Sequence, residues 1–104
     1  MIPIDDALDA TWHALRRSSE AADCPATRVA GRSRPWWSAT FAGHRVALTL
    51  LAAPGDALDA WLATLAEADL PLAGRIVGDC AIDHVASTER GIEVALSLLV
   101  LDQA

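Results

Sequence analysis

The chain has 104 residues, 53% of them apolar, with a net charge of −6 and a pI near 4.7. That length suits one small domain, that apolar share supports a core rather than disorder, and that charge argues against a nucleic-acid binder. No run of 18 apolar residues is present, so no membrane span is expected within the chain, and the acidic opening MIPIDDALDA does not read as a signal peptide.

In chain order, Ile4, Leu8, Trp12 and Leu15 fall near helical spacing, with Asp5 and Asp6 in the first turn. Asp23, Cys24 and Pro25 close that helix. A Gly- and Arg-rich loop is expected next. Residues 36–42 and 45–52 then read as a hairpin turning at Ala42, Gly43 and His44. Pro54, Gly55 and Asp56 start a second helix whose buried stripe is Leu58, Trp61, Leu62 and Leu65. Residues 74–86 and 91–101 form a second hairpin turning at Thr88–Gly91. Trp12 and Trp61 both sit on buried helical stripes and are expected in the core.

The halves repeat each other. DALDATWHAL (6–15) matches DALDAWLATL (56–65) at six of ten positions, offset by 50, and RVALTLL (45–51) matches EVALSLL (93–99) at five of seven, offset by 48. Two matches in one order at nearly one offset indicate a duplicated helix–strand–strand unit. Repeat one covers about residues 3–52 and repeat two about 54–102, together one domain over 1–104. The order α-β-β-α-β-β is a circular permutation of the ferredoxin-like sandwich. The expected fold is therefore α+β, a four-stranded antiparallel sheet with two helices on one face. VALTLL and VALSLL, the most apolar strands, should lie in the middle, and edge strands should be more polar or interrupted, as RIVGDC is.

The stretch DCAIDH (79–84) gathers two carboxylates, a thiol and an imidazole. On a regular strand Asp79 and Asp83 would share one face about 13 Å apart, while His84 would point to the other with Ile76, Cys80 and Ile82. Three ligands cannot converge on one metal from that geometry, so no metal, cofactor or catalytic residue is assigned. Cys80 and His84, read as a nucleophile–base pair, would also be about 13 Å apart on one strand, too distant to act together. His13 suits a surface pair with Asp9, and His44 falls in the expected turn. Cys24 and Cys80 form no CxxC motif and are either two buried thiols or one disulfide.

Charge is uneven. Residues 16–34 hold five arginines against two acids, a local +3 that leaves −9 elsewhere. Arg28, Arg32 and Arg34 are either a solvated loop or a docking surface for an acidic partner or anionic headgroups. Trp36 and Trp37 are adjacent on an edge strand and face opposite sides, so one can enter the core and the other can anchor an interface. These five residues form the candidate interface.

The segment VALTLLAAPGDALDAWLATLAEADLPLAGRIVGD, followed by GIEVALSLLVL, resembles the C-terminal periplasmic domain of type II secretion system protein M, across roughly residues 45–101. The similarly folded protein L and the pilus alignment proteins share the pattern. The resemblance implies a non-catalytic part of an inner-membrane assembly platform that forms homodimers and pairs with a similarly folded platform subunit. Its membrane contact would run through a segment absent from this chain, and its location would be periplasmic. Two other readings stay open: a dimeric ferredoxin-like small-ligand binder or enzyme, and a small acidic cytoplasmic immunity or antitoxin-type protein.

Overall fold

The computed structural model describes residues 6–103. Ile4 and Asp5, assigned above to the first helical turn, lie outside them. The elements run α1 (Asp6–Ala21), β1 (Thr27–Trp37), β2 (Ala42–Ala52), α2 (Asp56–Leu65), β3 (Arg75–Thr88) and β4 (Gly91–Asp102). The four strands form one antiparallel sheet in the order β1-β2-β4-β3. This is the α+β arrangement expected from the duplication, with VALTLL and VALSLL as neighbouring inner strands.

The register of those inner strands carries the internal symmetry. Val46 pairs with Leu98, Leu48 with Leu96, and Leu50 with Val94. The repeat offset of 48 relates Leu48 to Leu96, so the central pair joins the two copies of one residue. The same offset exchanges the flanking Val–Leu pairs. A pseudo-twofold axis therefore passes between Leu48 and Leu96. All six side chains are at most 2% exposed, and each contributes about 1.5–3 kcal/mol by leaving water.

Both helices cover the face that carries these residues. Leu8, Ala14 and Leu15 of α1 and Leu58, Trp61 and Leu65 of α2 join the strand residues in one buried cluster. The helices are also fastened to each other, since Trp61 Nε1–H donates to Ser18 Oγ at 2.9 Å. Trp12, expected in the core, is only half-buried and packs on the cluster's margin. The repeat alignment explains this: the residue equivalent to Trp61 is Thr11, which is fully buried with its hydroxyl donating to the Ala7 carbonyl at 2.7 Å.

Two corrections concern the first hairpin. The Gly- and Arg-rich stretch expected as a loop is most of β1, and the turn falls at residues 38–41 rather than at 42–44. Edge position permits such a strand: arginines and Pro35 discourage further pairing, and only one neighbour needs satisfying. Gly31 lies directly under α1, where a Cβ would come within 2.8 Å of Leu48 and 2.9 Å of Leu8. Its counterpart in β3, by pairing with Leu96 instead of Leu48, is Ile82.

α1 ends by a left-handed residue. Asp23 has φ 61°, its N–H reaches the Glu20 carbonyl at 3.1 Å, and the Cys24 N–H reaches the Ser19 carbonyl at 2.9 Å. These are the paired bonds of a Schellman cap, built here on aspartate instead of the usual glycine. Ser19, fully buried, donates to the Arg16 carbonyl at 2.9 Å and accepts from the Ala26 N–H at 3.2 Å, tying the helix end to the approach to β1.

Ser19→Ala leaves the Ala26 N–H without its partner and is expected to lower unfolding free energy by about 1–3 kcal/mol in urea titration. Asp23→Gly relieves the left-handed backbone and is expected to raise it by roughly 0.5 kcal/mol.

Candidate functional site

With the helices on one face, the other face of the sheet is left open. Pairing fixes what it presents, row by row across β1, β2, β4 and β3. The first row is Trp36, Gly43, Leu101 and Ile76. The second is Arg34, Arg45, Leu99 and Asp79. The third is Arg32, Ala47, Ser97 and Ala81, and the fourth is Ala30, Thr49, Ala95 and His84. Thr27, Leu51, Glu93 and Ala86 complete the fifth.

Two bulges in β3 shape this face. The register shifts between Val77 and Asp79 and again between Ile82 and His84. Strict alternation placed Ile76 and His84 on the face of Cys80. The bulges move both onto the open face, Ile76 opposite Leu101 and His84 opposite Ala95, while Val77 moves onto the helix-covered face and Cys80 stays there. The stretch DCAIDH thus sends Asp79, Ala81, Asp83 and His84 outward and Cys80 and Ile82 inward. Asp83 is held by a hydrogen bond from the Ser97 hydroxyl of β4. Among the described residues, no three His, Cys, Asp or Glu side chains are grouped so as to hold a metal ion.

The centre of the face is low. Ala47, Thr49, Ala95 and Ser97 form a floor of small side chains, with two adjoining depressions of about 530 and 420 Å³ above it. Arg32, Arg34 and Arg45 wall one side, and Asp83 stands on the other. Arg34 and Arg45 are directly paired across strands, an unfavourable like-charge juxtaposition in an isolated sheet. The Arg45 guanidinium lies 6.0 Å from the centre of the Trp36 ring, at the limit of a cation–π contact. Across the sheet, Asp79, Asp83 and Glu93 make β3 and β4 the negative side. The open face is therefore charged in two opposite halves around a flat, mostly uncharged middle.

The candidate interface residues divide between the two faces. Arg32, Arg34 and Trp36 come together on the open face. Arg28 and Trp37 lie on the helix side, where Arg28 is ion-paired to Asp9 of α1 at 3.4 Å. Neither tryptophan enters the core, contrary to the expectation for the pair. Trp36 is half-buried on the open face; Trp37 is 73% exposed, and its cross-strand partner Ala42 is exposed as well. With Phe41, 53% exposed, Trp37 makes a second apolar spot at the hairpin tip. Sequence reasoning missed Arg45, Asp79 and Asp83 as members of one surface, because they become neighbours only through strand pairing.

The remaining titratable groups of interest are buried. Cys24 and Cys80 are free thiols. Burial pushes both above the usual thiol range, with a smaller push from Asp23 on Cys24 and from Asp79 on Cys80. His44 Nδ1 is buried without a hydrogen-bond partner. No helix among the described residues is long and apolar enough to cross a membrane.

Comparison with known proteins adds no relative: no family model, curated protein or solved structure matches the chain.

The chain has neither lysine nor tyrosine, so between about pH 8 and 11 the two thiols are its only titrating side chains. A raised folded-state pKa means that the unfolded chain ionises first as pH rises past about 8.5. Stability is unaffected below that range and falls above it. The urea midpoint is expected to drop between pH 8 and pH 10, and to drop less in a Cys24→Ala, Cys80→Ala variant.

Proposed function

We propose that this chain is a non-catalytic protein–protein interaction domain whose docking surface is the open face of its sheet. The observation that carries the reading is the make-up of that face. A soluble two-layer fold can leave one sheet face to water if that face is polar. Here it displays Leu51, Leu99, Leu101, Ile76 and Trp36 around a floor of alanine, serine and threonine, with ordered charge at the sides. Apolar side chains at both ends of a small-residue floor, with opposite charges along its two sides, give the mixed apolar and charged make-up of a docking surface rather than the polar face that water alone would favour. The flat floor favours a broad partner over a small molecule, which would need a more enclosed cleft.

The likeness to the periplasmic domain of type II secretion system protein M gives this reading a narrower form. It rests on the duplicated helix–strand–strand unit and on the helix DALDAWLATL. In that form the domain belongs to an inner-membrane assembly platform, works in the periplasm, and pairs with itself and with a similarly folded platform subunit.

A photo-crosslinking residue placed at Ser97, in the middle of the floor, tests the general reading in cells. Discrete protein adducts, identified by peptide mass spectrometry, are expected from position 97 and not from Ala63 on the exposed side of α2. The reading fails if position 97 gives no more adduct than position 63.

A further inference from the structure

The two charged halves of the open face suggest what covers it. We propose that the partner is a second copy of this chain, stacked sheet to sheet about a twofold axis parallel to the strands; this rests on the open face being a docking surface.

An axis lying between two stacked sheets and parallel to their strands keeps each residue in its own row but moves it to the mirror column. β1 of one copy then faces β3 of the other, and β2 faces β4. Arg34 meets Asp79 of the second row, twice per dimer. Arg32 meets Ala81, with Asp83 beside it. Trp36 lands on Ile76, and Leu101 sits over Gly43, where a Cβ would strike the Val100 carbonyl oxygen and no side chain is possible. In the middle, Ala47 lies over Ser97 and Thr49 over Ala95, a floor low enough for two sheets to approach to about 10 Å. Opposite charges therefore meet at the edges in the second and third rows, small meets small at the centre, and the bulkiest aromatic meets an aliphatic, while Arg45 and Glu93 of the inner strands lie over Leu99 and Leu51.

The alternative in-plane axis, perpendicular to the strands and through the third row, fails on the same map. It keeps each residue in its column, so Arg32 would face Arg32 of the other copy and Arg34 would face Ala30. Among these two arrangements, charge selects the first.

Size is also sufficient. Four strands about 4.8 Å apart and five rows about 6.8 Å apart give a face of roughly 600 Å². Two such faces bury about 1,200 Å², at the lower end of specific interfaces. The stacking also explains the paired Arg34 and Arg45: like charges that repel within one chain are relieved when Asp79 of the second copy arrives.

The test exploits the distance between the two charges. In one chain Arg34 and Asp79 stand on opposite edge strands, about 14 Å apart, so they cannot rescue each other internally. Sedimentation equilibrium of the full chain is expected to show a dimer that weakens as salt rises. Arg34→Asp alone and Asp79→Arg alone each place like charges together twice and are expected to raise the dimer dissociation constant about tenfold or more. An equimolar mixture of the two variants restores both pairs in a heterodimer and is expected to return near wild-type affinity. Circular dichroism checks that each variant is folded. The inference is overturned if the wild-type chain is monomeric at millimolar concentration, if either single variant dimerises as wild type does, or if mixing restores nothing. Those failures are separable from failure of the docking surface itself: if only the dimer is wrong, position 97 still cross-links to a different protein, and if the docking surface is wrong, it cross-links to none.

Discussion

Every layer of this molecule is referred to the pairing of β2 with β4 at Leu48 and Leu96. It places the two most apolar strands side by side, points Val46, Leu48, Leu50, Val94, Leu96 and Leu98 into one stripe, and gives both helices the same surface to cover. Because the central pair joins equivalent residues of two copies, one sequence solution serves twice. Burial on that stripe is where folding free energy is concentrated. A single Leu→Ala truncation there removes about 2–5 kcal/mol, a large share of what a domain of this size possesses.

Around that shared centre the copies have diverged. Where repeat one has Thr11, bonded back to its own helix, repeat two has Trp61, which crosses to Ser18 of the other helix. Where repeat two has Ile82 beneath the helices, repeat one has Gly31, and Leu8 closes over the vacated space. These exchanges of large for small keep the layer filled while breaking its symmetry. On the open face the inner strands keep Ala47 and Ala95, Thr49 and Ser97, and Leu51 and Leu99 as equivalents, and differ in charge. Arg45 and Glu93 are equivalent by the repeat offset and carry opposite charges. That reversal adds to a face positive on one half and negative on the other.

The sequence made some of this legible and hid the rest for physical reasons. Helices and inner strands were readable because their apolar periodicity is set by burial, and the repeat confirmed their order. β1 was not readable. An edge strand with one partner and no deep burial has no reason to alternate, and glycine and arginine in TRVAGRSRPWW look like a loop. The bulges at Gly78 and Asp83 were equally silent, since an extra residue in β3 leaves no compositional mark, yet they decide which side His84 and Ile76 face. Of the five residues picked out as an interface, three share the open face, and two are separated from them by the pleat. The acidic half of that surface could be found only once strand order and register were known.

Solution NMR of the isolated chain tests the central pairing most directly, through cross-strand contacts between backbone protons of β2 and β4. The account requires contacts that place Leu48 opposite Leu96, with Val46 opposite Leu98 and Leu50 opposite Val94. A register displaced by one residue, or contacts joining β2 to β3 instead, would remove the pseudo-twofold axis and the charged open face together.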